Sequence, residues 1–330
     1  MNKGLTLNEL AALFEAAVIG DGSHCVVRAT EGVAAAKPGE LVFVEATGQL
    51  EACAKSNAAV LALPSVVEHG GSGLSVNGLA CAEPRLHFHV ANRLLIAHDD
   101  LAEADGEGVW IAKSATVHES ARLAPGCVVL AGACIHANAV LYPGAVIEKD
   151  ASVGAGAIIR SRAVIARDTV IGPLCDIGSG SVIGADPQEF EAANGVWTRK
   201  PGKTRVRLGK RVAIGANSVI ESGARRETRI ESDVLIGGQV YIAHDCEIDK
   251  GVLIIGQSGL ASGVRIENGA ALMGRVAVDV DVQIGPGALV LAMSAVTKDV
   301  SAGARVWGNP ARSRNEALRR LHRQMTDTNH

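Results

Sequence analysis

The chain has 330 residues, 48% hydrophobic but only 3% aromatic, with 38 glycines and a formal net charge of −3. That balance excludes a disordered chain and leaves no basic footprint for nucleic acid; no apolar run approaches the ~18 residues of a membrane span. A core made of small aliphatic residues and glycine points to many thin, similar layers, and so to repeats.

In chain order, residues 1–105 predict a small α/β domain. Thr6-Leu7-Asn8-Glu9 is a capping box. Leu7, Leu10, Leu13, Phe14 and Ala17 follow at helical spacing, with Gly20 as the stop. The opening Met1-Asn2-Lys3-Gly4 carries no apolar signal core. Apolar runs at Leu41–Val44 and Ala58–Leu63 are separated by turn residues, and Arg85–His98 after Pro84 predicts a second helix. The acid-rich stretch 99–107 reads as a linker.

From Ile111 a step of six lands on thirteen consecutive aliphatic residues, ending at Ile183. The phase resumes at Leu208, Ile214 and Ile220, slips by four residues, and resumes from Ile230 to Val296 for twelve more. A period of six fits neither a helix nor a simple amphipathic strand. It fits a strand of about five residues and a tight turn, three hexads closing one triangular coil. Each aliphatic residue then points inward and stacks on its equivalent eighteen residues away, at a coil spacing of about 4.8 Å. Residues 106–310 are thus predicted to form a parallel β-helix of roughly nine coils.

The repeat has one long interruption, 185–207, and loops of this length in compact domains are usually functional. Between Arg199 and Arg211 lie seven basic residues and no acids, which would suit a phosphate-bearing ligand or partner. Residues 311–330 read as a C-terminal helix that caps the open coil; its Arg312, Arg319, Arg320 and Arg323 would suit docking to an acidic partner. The seven cysteines are odd in number and lack a C-x-x-C pair, the pattern of reduced thiols in a cytosolic protein. His118 and His136 are eighteen apart and should stack, but no third ligand has matching spacing, so no metal is expected.

His244, in Tyr241-Ile242-Ala243-His244-Asp245-Cys246, sits two places after a core aliphatic, where a side chain faces out of the coil. The hexads, the single loop, Ile242-Ala243-His244 with its flanking glycines, and Gly308-Asn309-Pro310 before the terminal helix together resemble the UDP-3-O-acylglucosamine N-acyltransferases, hexapeptide-repeat enzymes of lipid A biosynthesis. The resemblance implies a mainly β chain with a left-handed parallel β-helix, a small N-terminal α/β domain that contacts a nucleotide, and a C-terminal α-helix. It implies a cytoplasmic homotrimer, with no bound cofactor, that uses an acyl carrier protein thioester as co-substrate and a UDP-amino-sugar as acceptor. His244 would be the general base, Phe43 a contact of the uracil, and Asp186 and Gln188 part of the substrate loop. A backbone N–H one coil along, at Ser262 or the adjacent Gly263, would meet the oxyanion, and Asp245 would orient His244. An imidazole with pKa about 6.5 suits deprotonation of an attacking amine at neutral pH.

The chain also departs from that pattern. Asp186-Pro187-Gln188 and the run from Ile242 to Cys246 are closer to the sibling O-acyltransferases, Val280 stands near a second family histidine, and Gln49 stands where a tyrosine partners the uracil phenylalanine. The competing expectations are a CoA-dependent N-acyltransferase (acyl or acetyl) acting on another amino-sugar nucleotide, a metal enzyme on the same fold, and an inert scaffold.

Overall fold

The computed structural model describes residues 4–30, 32–70, 76–101, 107–200, 202, 204–316 and 318–319. The chain divides into two compact units, Met1–Asp105 and Gly106–His330.

The first unit is an α/β domain. The capping box forms as the sequence predicts: Thr6 Oγ1 accepts the Glu9 N–H, and Glu9 accepts the Thr6 N–H at 2.7 Å. The helix it starts, α1 (Leu7–Phe14), is shorter than expected, because Glu15 takes the left-handed conformation and ends it. Ala17 belongs to the strand that follows, Ala17–Ile19, and Gly20 lies beyond that strand. Five strands form a sheet in the spatial order Ala17–Ile19, Gly78–Ala80, Ala59–Ala62, Glu40–Val44, Arg28–Ala29, antiparallel only at the first pair. Helices α2 (Leu50–Ser56), α3 (Pro64–Gly70) and α4 (Pro84–Asp100) complete it. Because α4 continues to Asp100, the first two residues of the expected linker are helical; residues 102–106 of that stretch lie outside the described residues.

The second unit is the β-helix, with three sheets of eleven, ten and nine strands. Each regular hexad supplies a strand of two residues rather than five, such as Val146–Ile147, and from Val129 onward its second residue is the buried aliphatic; in the first three hexads Ile111 is exposed and Val117 and Leu123 are half-buried. The coil partner lies eighteen residues away (Val128↔Val146), thirty-seven across the loop (Asp176↔Ala213) and twenty-two across the slip (Ala213↔Leu235). Both interruptions therefore leave the coil wall; the ladder shifts by one residue at the loop root, between Ile183 and Ala185, and is in register beyond each break.

A second inward position, two residues before each aliphatic, completes the core. It holds Ala133, Ala139, Ala145, Ala151, Ala157 and Ala163, then small polar residues such as Ser181 and Ser218. Those hydroxyls donate to the Gly215 and Gly237 carbonyls at 2.9 and 3.0 Å, as buried polar groups require. Cys127, Cys175 and Cys246 occupy the same position, where burial pushes the Cys246 thiol up to about 12. The corner residue three places after the aliphatic is left-handed in nearly every coil, and it is often Asp or Asn (Asn138, Asp150, Asp233, Asp245) instead of glycine. Strict glycine is needed at another corner: a Cβ on Gly215 would lie 2.3 Å from the Gly238 nitrogen, and one on Gly237 2.4 Å from that of Gly256.

Candidate active site

Strand Tyr241–Ile242 pairs with Val219–Glu221, Val219 opposite Tyr241 and Ile220 opposite Ile242. His244 and Asp245 turn the corner after it. Asp245 adopts the left-handed φ of 63° that such a corner needs and that Asp tolerates. His244 is only 7% exposed, so its own chain already covers it, although its position predicts an outward-facing side chain.

The Asp245 carboxylate is fixed at both oxygens. Oδ1 accepts the consecutive backbone N–H groups of Ala224, Arg225 and Arg226 at 3.0, 2.9 and 3.1 Å. These come from the four-residue slip, which curls into a small anion-binding nest. Oδ2 lies 3.1 Å from His244 Nδ1. Burial alone would raise the Asp245 pKa, but hydrogen bonds from Arg225, Arg226 and His244 outweigh it and hold the carboxyl below its ordinary value. An ionised carboxylate only accepts, so Nδ1 carries a proton, and in the neutral imidazole Nε2 keeps its lone pair. Adjacent residues on a strand point apart; here the turn brings the pair together.

Glu221 is the residue that the hexad pattern does not flag. It is 1% exposed. Oε2 accepts the His244 N–H at 3.0 Å. Oε1 accepts the Gln188 N–H at 2.9 Å and the Tyr241 hydroxyl. Desolvation and this carboxylate together raise the Tyr241 pKa, so the phenol stays protonated.

No protein-family model matches the chain. In sequence it is 33% identical over 124 residues to UDP-3-O-acylglucosamine N-acyltransferase of Syntrophotalea carbinolica, covering 38% of this chain and 35% of that protein. It is 43% identical over 63 residues to the protein of the same name from Shewanella oneidensis, covering 19% and 18%. The chain thus spans about a third or less of these curated relatives. Among solved structures, UDP-N-acetylglucosamine O-acyltransferase from Moraxella catarrhalis superposes with a TM-score of 0.51 at 28% identity, covering 65% of this chain and 76% of that one. This chain carries the left-handed β-helix of the hexapeptide-repeat acyltransferases.

On that β-helix the other predicted residues separate. Gly263 donates its N–H to the His244 carbonyl at 3.1 Å, an ordinary ladder bond, so it is not free to meet an oxyanion. The Ser262 N–H has no acceptor among the described residues. Asp186 is exposed and pairs with Arg199 at 3.6 Å, while Gln188 reaches the site through its backbone. Asp186, Thr204, Arg205, Ser222 and Glu227 line a polar cavity of about 560 Å³ with Arg167. A separate apolar groove of about 400 Å³, floored by Gly215 and Gly237 and walled by Leu235, Leu253 and Ile255, runs along another face.

The basic stretch is largely neutralised inside the chain. Arg199 donates to the Asp186 and Pro187 carbonyls, and Lys200 pairs with Glu191 at 3.4 Å. Arg205 and Arg207 share Glu227, and Arg211 grips Asp233. Lys203 lies outside the described residues. The C-terminal segment also differs from the expected single helix. Arg312 sits in a strand, Arg312–Ser313, antiparallel to Val306–Trp307, and pairs with Glu316 at 3.1 Å. Helix begins only at Arg314. Arg319 donates to the Asn315 carbonyl; Arg320 and Arg323 lie outside the described residues.

In the first unit Phe43 packs against Phe88 at 5.1 Å, with the Arg85 guanidinium 5.3 Å over its ring. Gln49, which stands at the expected tyrosine position, caps a turn by accepting the Glu45 and Ala46 N–H groups. Val280 is exposed. His118 bonds Ser120, and His136 lies near Cys134 and Ser152. Among the described residues no three His, Cys, Asp or Glu side chains gather into a metal site, and no helix is long and apolar enough to cross a membrane.

Proposed function

We propose that the protein is an N-acyltransferase of lipid A biosynthesis, moving a 3-hydroxyacyl chain from an acyl carrier protein thioester to the 2-amino group of a UDP-3-O-acylglucosamine. The observation that carries this is the His244–Asp245 pair, in which a carboxylate anchored by three backbone donors fixes the imidazole with Nε2 free to accept a proton. The sequence relatives supply the substrate class.

In this mechanism the amine nitrogen attacks the thioester carbonyl carbon as Nε2 of His244 takes its proton. The oxyanion of the tetrahedral intermediate is met by the Ser262 N–H. Collapse breaks the C–S bond, and the imidazolium returns the proton to the departing phosphopantetheine thiolate. Phe43 contacts the uracil, the loop around Asp186 and Gln188 contacts the sugar, and the C-terminal arginines receive the acidic carrier. The working form is a cytoplasmic homotrimer. The reading is tested by screening sugar nucleotides with acyl carrier protein and CoA thioesters, with His244→Ala as control. A UDP-N-acetylglucosamine arm is included because the Moraxella neighbour is an O-acyltransferase. Carrier-dependent N-acylation lost in His244→Ala is expected; undiminished turnover in that variant refutes the mechanism, and preference for CoA refutes the donor.

A further inference from the structure

We infer that Glu221 is a positioning residue that latches the 186–205 loop to the corner bearing His244, an inference that rests on His244 being the base. In a regular hexad the N–H two places after the aliphatic has no ladder partner, as at Ser262. At His244 that spare donor is taken by Glu221 Oε2 at 3.0 Å. The other oxygen takes the Gln188 N–H at 2.9 Å, two residues beyond Asp186 in the first turn of the loop. The Tyr241 hydroxyl, on the strand leading into the same corner, donates to that oxygen too. One buried carboxylate thus joins the base's main chain, the strand before it and the root of the substrate loop. Arg225 spans a similar gap only at ion-pair distances, 3.9 Å to Glu189 and 4.0 Å to Asp245. On its far side the root is closed by Arg199 on the Asp186 and Pro187 carbonyls and by the Ser222 N–H on the Ala185 carbonyl at 2.7 Å.

All three groups facing Glu221 are donors, and this makes the site selective for a carboxylate. A Gln side chain must turn its NH₂ toward either Gln188 or His244, and each of those presents an N–H. Glu221→Gln therefore gives up one tie in either orientation, and Glu221→Asp, one methylene shorter, cannot span both.

The test is hydrogen–deuterium exchange on the full chain without substrate, read at the Gln188 and His244 amides, together with steady-state kinetics. In the wild type, Gln188 is expected to be protected while Asn194 at the hairpin turn is not; an unprotected Gln188 overturns the latch without any variant. In Glu221→Gln the amide whose tie is given up, that of Gln188 or that of His244, is expected to exchange roughly tenfold faster or more, the scale of one lost hydrogen bond to a charged group. Glu221→Asp is expected to fall between the two and serves if the Gln variant does not fold. Exchange within twofold of wild type at both amides in either folded variant overturns the inference. Kinetically, KM for the sugar nucleotide should rise in Glu221→Gln more than kcat falls, whereas His244→Ala should lose kcat. Unchanged KM and kcat in Glu221→Gln, with His244→Ala inactive, refutes the latch alone. A wild type inactive on every acceptor refutes the proposed reaction and leaves the exchange result to decide the latch.

Discussion

Asp245→Asn changes one atom and puts the proposed base on trial. The amide has two orientations. Turning its NH₂ into the nest would face three N–H donors, at 3.0, 2.9 and 3.1 Å in the wild type, and hydrogen bonds to a charged group are each worth about 1.5–3 kcal/mol. The amide oxygen therefore stays in the nest, and the NH₂ faces His244 Nδ1, to which it donates. The imidazole then carries its proton on Nε2, where a base needs a lone pair. The expected loss in kcat is about 10²–10⁴-fold, the range for losing general-base catalysis or trapping the wrong histidine tautomer. KM values should change little, because in this mechanism Asp245 acts through His244 without touching substrate. The assay is saturating steady-state turnover of the acceptor found by the screen, with a melting curve to confirm folding. A kcat within threefold of wild type would refute the tautomer argument. The carboxyl also carries a pH signature. Its folded pKa is depressed, so its stabilisation is complete above the ordinary carboxylate pKa and is lost as pH falls through the lower folded value. The stability gap between wild type and Asp245→Asn should be full at neutral pH and close only in strong acid.

Three further outcomes check other parts of the structure. The Glu227 pKa is lowered first by its hydrogen bond from Arg207 and then by that from Arg205, so the stability difference from Glu227→Gln should be present at pH 7 and vanish as pH falls through the depressed value. The carboxyl is a third exposed, so the gap should stay below about 1 kcal/mol, and a melting-temperature gap that grows toward acid would contradict the pairing. Thiol labelling of the native protein at pH 8 should reach Cys25 and Cys134 quickly, and Cys53, Cys81, Cys127, Cys175 and Cys246 only on unfolding; fast labelling of Cys127, Cys175 or Cys246 would show that the coil interior is not packed as described. Ile242→Ala should cost about 2–5 kcal/mol by chemical denaturation, because Ile242 is fully buried and stacks between Ile220 and Leu260; a loss under 1 kcal/mol would contradict that stacking.

The hexads made the β-helix legible because an inward position repeats at a fixed interval whatever the neighbouring residues do. The same regularity hid the second inward position. Alanine, serine and cysteine at 127, 133, 181 or 218 look like corner filler in the sequence, yet they close the core. The strands are shorter than the period suggests for a related reason: six residues must also supply a corner, and the left-handed residue three places after the aliphatic leaves room for only two in the ladder. Where the repeat is exact, composition and period are enough to place a residue.

The site forms where the repeat is broken, and that limits what periodicity can reveal. His244 and Asp245 lie in a regular corner and were visible as chemistry. The three N–H groups that anchor Asp245 come from the four-residue slip, which on a hexad count is only an error of phase. Glu221 begins that slip and meets Gln188 from the other interruption, thirty-three residues earlier in the chain. The ladder restores register after each break, as Ala213 beneath Asp176 and Leu235 beneath Ala213 show. The extra residues must then leave the coil wall, and both departures lie on the side where Val219–Glu221 pairs with Ala185 and with Tyr241–Ile242. Two insertions on neighbouring coils of one face bring nonperiodic backbone donors against a corner that otherwise offers only its own spare N–H. A β-helix without them would present His244 as one more residue on a smooth wall, with no carboxylate held in place to set its proton.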